Sequence, residues 1–174
     1  EKYYTLDEYK TLIETEQTDK DGNITYIYAT DKTAQYSYIE AAQAKGYNVL
    51  LMDGQLDVHF IGMLEQKIEK SRFVRVDSNV ADKLVEKANN NVVELSDIQK
   101  EMTETVFKTQ IPEIEKSNFI VTFEAIGESS QPIVITQNEF MRRMKDMSAL
   151  QPGMMNFYGE MPDSYSLIIN TENP

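Results

Sequence analysis

Leu6, Tyr9, Leu12 and Ile13 recur at helical spacing behind Thr5, and Glu8, three residues after Thr5, completes a capping box. The pattern predicts a helix from about residue 6 to about residue 14. Polar Thr15–Lys20 and the turn signal Asp21-Gly22-Asn23 lead into Ile24-Thr25-Tyr26-Ile27-Tyr28-Ala29, whose β-branched and aromatic content reads as a strand. A helix over Thr33 to Lys45 follows, with Tyr36, Ile39 and Ala42 facing inward and Gly46 as its left-handed stop. Tyr47-Asn48-Val49-Leu50-Leu51-Met52 ends in a four-residue apolar run, which predicts a strand covered on both faces. Leu56, Phe60, Met63 and Leu64 form the buried stripe of another helix. Arg72-Phe73-Val74-Arg75-Val76 alternates as an edge or half-exposed strand does. Residues 1–77 thus read as α-β-α-β-α-β, and right-handed crossovers make that a small, mostly parallel three-stranded αβα subdomain.

From Ser78 the pattern changes. Val80, Leu84 and Val85 support a short amphipathic helix before the polar run Lys87–Asn91, so residues 78–95 read as a connecting helix and linker. Ser96 with Gln99 opens a helix carrying Ile98, Met102, Val106 and Phe107, which Pro112 closes. Phe119, Val121 and Phe123 alternate with Ile120, Thr122 and Glu124, and a polar loop leads to Ile133-Val134-Ile135. Two strands so joined are most simply an antiparallel hairpin. Thr136 with Glu139 is a further capping box ahead of a helix reaching about Ala149, and Ser164–Asn170 is a third strand. The fold class is therefore α/β followed by α+β, with residues 96–174 as the second, mixed domain.

Charge narrows the possible partners. With 17 Lys+Arg against 29 Asp+Glu in 174 residues, the net charge of −12 argues against generalised binding to nucleic acid or an anionic membrane, where affinity depends on cationic side chains. The chain has no cysteine, so disulfides, thiolate catalysis and cysteine-ligated zinc are excluded. No apolar run approaches the roughly 20 residues of a membrane span. The chain starts at Glu1 without an initiator Met or signal peptide, which suggests a piece of something longer.

Candidate chemistry is sparse. Asp19, Asp21 and Asn23 alternate like calcium ligands, but Gly22 comes two positions before the place where an EF-hand needs Gly and Thr30 stands where it needs Glu, so a turn is expected. His59 is the only histidine and has no partner for a zinc triad. No Gly-rich phosphate loop follows a strand and no Gly-x-Ser-x-Gly elbow occurs. The sequon Asn23-Ile24-Thr25 is taken as chance. No metal, cofactor or catalytic residue is assigned on these grounds.

Methionine is the unusual feature: of nine in the chain, six lie between Met141 and Met161. Phe140, Met141, Met144, Met147 and Leu150 keep helical spacing, with Arg142, Arg143, Lys145 and Asp146 on the other face. After Gln151-Pro152-Gly153, Met154 and Met155 extend the apolar surface. Flexible, polarisable thioethers adapt to many partner shapes, so this stripe is either ordinary core or a binding surface.

Specific stretches resemble a known family. Tyr38-Ile39-Glu40-Ala41-Ala42, then Lys45-Gly46-Tyr47 through Asp57, is similar to the end of the middle domain of the heat shock protein 90 chaperones, in particular their bacterial branch. Phe73-Val74-Arg75-Val76-Asp77 resembles the strand closing that subdomain. Glu124-Ala125-Ile126-Gly127, Gln131–Thr136 and Phe140-Met141-Arg142-Arg143-Met144 resemble parts of the C-terminal domain. The resemblance implies a cytoplasmic chaperone that binds unfolded or partly folded client proteins. It also implies that ATP and magnesium are bound upstream of Glu1 and that homodimerisation helices follow Pro174, so the piece itself would be catalytically silent. By the same resemblance Phe140, Met141, Met144, Met147, Leu150, Met154 and Met155 are the expected client-binding residues. The alternative is a flavodoxin-like ligand-binding or regulatory domain fused to an α+β module, with its ligand near Thr30, Asp53 or Asp77 at the carboxyl ends of the strands.

Overall fold

The computed structural model describes residues 2–54, 56–87, 95–111, 114, 116–128, 130–150 and 161–173. The chain divides into two compact units, Glu1–Ala88 and Asn89–Pro174.

In the first unit, α1 (Leu6–Ile13), β1 (Ile24–Ala29), α2 (Tyr36–Ala44), β2 (Val49–Leu51), α3 (Asp57–Lys67), β3 (Ser71–Arg75) and α4 (Ala81–Leu84) follow in order. The strands form a parallel sheet ordered β2-β1-β3. Alternation along β1 sends Ile27 and Ala29 to one face, where Val74, Val76, Ala42, Tyr47, Leu84 and Val85 enclose them. It sends Tyr26 and Tyr28 to the other, against Tyr9 and Ile13 of α1, Ile61 of α3 and Phe73. Tyr26 and Phe73 stack at 4.7 Å between ring centroids. Helices thus cover both faces of the sheet, as the α/β pattern requires.

Local signals are obeyed closely here. Thr5 and Glu8 make the capping box, Thr5 N donating to Glu8 Oε2 at 2.8 Å. Gly46 takes φ +81°, which a residue with a Cβ reaches only under strain. The Asp19 carboxylate accepts from the Asp21 and Asn23 amides at 2.9 and 2.8 Å, so the Asp-Gly-Asn cluster is a turn organised by its own side chain. Partial burial pushes that carboxyl up, but the bonds from Asn23 and Asp21 and nearby Arg72 outweigh it, and it titrates below the ordinary range. Buried Gln17 ties strands together, its Nε2 donating to Thr25 O at 2.7 Å and its Oε1 accepting from Asn48 N at 2.6 Å.

Several expectations for this unit are revised. Leu56, Phe60 and Met63 are exposed instead of forming a buried stripe, and α3 turns Ile61 and Leu64 to the sheet. The apolar run in β2 is not covered on both faces: β2 is an edge strand whose Val49 and Leu50 are half-buried and whose Leu51 is exposed. The strand enclosed on all sides is β1, because the crossovers place it centrally. β3 does lie at an edge, yet Phe73 and Val74 are both buried because helices cover both faces. The α2 helix begins at Tyr36 rather than Thr33, since the Asp31 carboxylate takes the Thr33 and Ala34 amides into a preceding turn. The stretch after Ser78 contributes buried Val80, Leu84 and Val85 to the first unit, and Lys20 N donates to Glu86 O at 2.7 Å.

In the second unit, α5 (Asp97–Gln110), β4 (Ser117–Glu124), β5 (Ile133–Gln137), α6 (Glu139–Leu150) and β6 (Asp163–Asn170) form an α+β arrangement. Ser96 and Gln99 cap α5 reciprocally, as their spacing predicts. The class agrees with the sequence reading, but the strand pairing does not. β4 and β5 are not a hairpin: β6 lies between them, parallel to β4 and antiparallel to β5. The central place of β6 comes from its ladders on both sides, eight residue pairs with β4 and five with β5. Asn170 Nδ2 donates to Gly127 O at 2.9 Å, and Gly127 N donates to the Glu172 carboxylate at 2.6 Å, which ties Gly127 to the end of β6. The second correction concerns α6. Its cap is Asn138, which accepts from Met141 N at 3.1 Å, while Thr136 remains in β5 opposite Ser166, buried. Glu139 pairs with Arg143 at 2.6 Å instead of closing a box with Thr136.

Candidate functional site

α6 packs on β6. Arg142 and Ser148 are each only 6% exposed. Lys145, on the same side, pairs with Asp163 at the start of β6 at 2.7 Å, and Asp163 also accepts from Gln137 Nε2 at 3.3 Å. On a helix, Phe140 projects on the side opposite Arg142, and Met144, four residues before Ser148, lies between Phe140 and Ser148. Phe140 is 61% exposed, and Met141 and Met144 flank it half-buried. The basic face, read as the side opposite the apolar stripe, is not all turned to solvent, since Arg142 is buried. Arg143 does lie at the margin, half-buried with Glu139. Of the other expected site residues, Met154 and Met155 lie outside the described residues, as do the side chains of Met147 and Leu150.

The other apolar stripe in the sequence lies on α5, where Ile98, Met102 and Val106 stand one turn apart and are all exposed. Periodicity finds the stripe but does not say which way it points.

The first unit carries the remaining candidates. At the carboxyl ends of its strands, Asp77 is ion-paired with Arg75, whose Nη2 lies 2.6 Å from Asp77 Oδ2, and both side chains are largely buried. Thr30 stands beside the Arg75 guanidinium at 3.5 Å, and Asp53 is exposed. Tyr4, Leu12, Leu51 and Phe60 line an apolar groove beside edge strand β2, with Tyr9 and Tyr26 in its wall. Burial pushes both phenols up, Tyr9 also through Tyr26 and Tyr4, and Tyr26 also through Asp7, so both stay neutral hydroxyls at neutral pH. His59 is half-buried in α3. Among the described residues there is no group of three His, Asp or Glu able to hold a metal ion, and no helix long and apolar enough to cross a membrane.

No family model matches the chain. Curated relatives do. The chain is 53% identical over 171 residues to the chaperone protein HtpG of Porphyromonas gingivalis, 55% over 172 residues to that of Bacteroides thetaiotaomicron, and 54% over 172 residues to that of Bacteroides fragilis. These matches cover 98–99% of this chain, which spans about a quarter of the relatives' length (25%). Identity at that level along nearly the whole chain makes this a segment of a molecular chaperone. It belongs to the HtpG family, the bacterial branch of the heat shock protein 90 chaperones.

Proposed function

We propose that the chain supplies client binding and interdomain coupling to an ATP-dependent chaperone of the HtpG type, and does not itself hydrolyse ATP. Its first unit is read as the end of the middle domain and its second as part of the C-terminal domain, with residues 78–95 joining them. ATP and magnesium belong, on this reading, to other parts of the longer protein. That protein acts as a homodimer in the cytoplasm on unfolded or partly folded clients. The client surface is Phe140, Met141, Met144, Met147, Leu150, Met154 and Met155.

The observation that carries the reading is the orientation of α6. Lys145 pairs with Asp163 of β6 and Arg142 and Ser148 are buried, while Phe140 is exposed beside half-buried Met141 and Met144. An exposed aromatic flanked by adaptable thioethers suits partners of varied shape. The name shared by the relatives adds chaperone function to that chemistry.

The test replaces Met144 and Met147 by Lys. Affinity for a reduced, carboxymethylated globular protein should fall about tenfold, or about 1.4 kcal/mol, while the unfolding transition stays cooperative and its midpoint moves little. A client surface can take a lysine whose stem lies along it. If stability instead fell by several kcal/mol, the stripe would be core and the proposal would fail.

A further inference from the structure

The chain has nine methionines and no cysteine. A two-electron oxidant meeting this protein therefore finds no thiol, and its sulfur chemistry falls on thioethers. Three of these lie on the apolar helix faces of the second unit. Met102 is 67% exposed, with exposed Ile98 and Val106 one turn to either side on α5. Met141 and Met144 flank Phe140 on α6, half-buried and within reach of a small oxidant.

We propose that Met102, Met141 and Met144 are modification sites at which an oxidant of the peroxide class switches off the apolar surface of the second unit. The thioether sulfur attacks one peroxide oxygen. An S–O bond forms, the O–O bond breaks, and the departing hydroxide takes the proton and leaves as water. Sulfur loses two electrons and peroxide gains them. The product sulfoxide has a strong dipole and a hydrogen-bond acceptor where an apolar, polarisable group stood, so burying it against an apolar partner is penalised. Reversal needs a dithiol, which supplies two electrons and two protons and releases the oxygen as water. Oxidation here changes the surface without a cavity or a broken bond in the core, because none of the three side chains is fully buried.

The loss of binding rests on the client-binding reading above; the modification itself does not. The experiment treats the full chain with hydrogen peroxide and maps added oxygen by peptide mass spectrometry. It then measures affinity for a reduced, carboxymethylated protein before and after. The M102L/M141L/M144L variant runs in parallel, since Leu keeps the volume and apolarity of Met at small cost. Oxidation should appear at all three residues. The parent should lose about tenfold in affinity, the Leu variant, which keeps Met147, Met154 and Met155, should lose clearly less, and methionine sulfoxide reductase with dithiothreitol should restore the parent. Met63→Leu, on α3 of the first unit, should stay as peroxide-sensitive as the parent. Absence of oxygen at the three sites, or equal loss of affinity in parent and Leu variant, overturns the proposal. If the unoxidised chain binds no polypeptide, the client reading has failed, and the mass map alone then decides whether these are the modification sites. Should the triple variant not fold, M141L/M144L is compared with the parent by the same map and the same affinity measurement; loss equal to the parent's again overturns the proposal.

Discussion

Phe140 is the residue at which sequence, structure and proposed role meet most directly. It is large, apolar and 61% exposed, so it contributes little to the fold it stands on. Phe140→Ala should change unfolding free energy by less than about 0.5 kcal/mol yet weaken polypeptide binding severalfold. Denaturation and a binding titration on the same sample check both halves. Glu86 is the converse, a charged residue whose effect is on folding. The Arg72 guanidinium bonds its carboxylate at 3.0 Å, and Lys20 adds its charge at 3.5 Å, so the carboxyl titrates below its ordinary range. A carboxyl depressed on folding stabilises above its unfolded pKa and loses that contribution as pH falls through the folded value. The first unit should therefore weaken between about pH 5 and about pH 3, and Glu86→Gln should flatten part of that slope. These side chains are half exposed, so solvent screening keeps the effect below about 1 kcal/mol. Urea unfolding across a pH series would show it.

At the scale of elements, α4 is four residues long and holds more than its length suggests. Leu84 and Val85 are fully buried against Ile27, Val74 and Ala42, so the stretch completes one face of the parallel sheet. Leu84→Ala should cost about 2–5 kcal/mol by lost burial and the cavity left behind. A loss within about 0.5 kcal/mol would mean that α4 is only a connector. The same scale explains why the capping boxes at Thr5 and Ser96 were readable while that at Thr136 was not. All three share the Thr/Ser-x-x-Glu/Gln spacing. At Thr136, however, the strand runs on through Gln137 in register with β6, and Asn138 is left to cap. A ladder of backbone bonds outcompetes one side-chain bond.

For the whole molecule, the two units differ in how much apolar side chain they enclose among the described residues. Both clusters of buried apolar residues among the described residues belong to the first unit; in the second, the described buried apolar side chains are Val121, Ile126, Leu167 and Ile168. The second unit should therefore open first. Amide hydrogen exchange should show β6 less protected than β1, and a single cooperative transition with equal protection in both would refute this. Much of this organisation was legible in local pattern. Helix and strand periods, the Asp19 turn, Gly46 and the shift after Ser78 depend on neighbours within a few residues, where side-chain spacing and backbone sterics act. The stretches resembling the chaperone family were legible for the same reason, being short runs of sequence. What the sequence could not decide was which surfaces meet. Nothing local says that β6, some forty residues after β4, enters between β4 and β5, because strand neighbours are chosen by long-range burial and pairing. Nor does the helical period say whether Phe140 and Met102 turn inward, since a period defines a face and only its packing partner defines a direction. The sequence by itself determined the elements, their order and the presence of two apolar helix stripes. The tertiary structure alone decided that β1 is central, that Arg142 is buried, and that Phe140 is left outside.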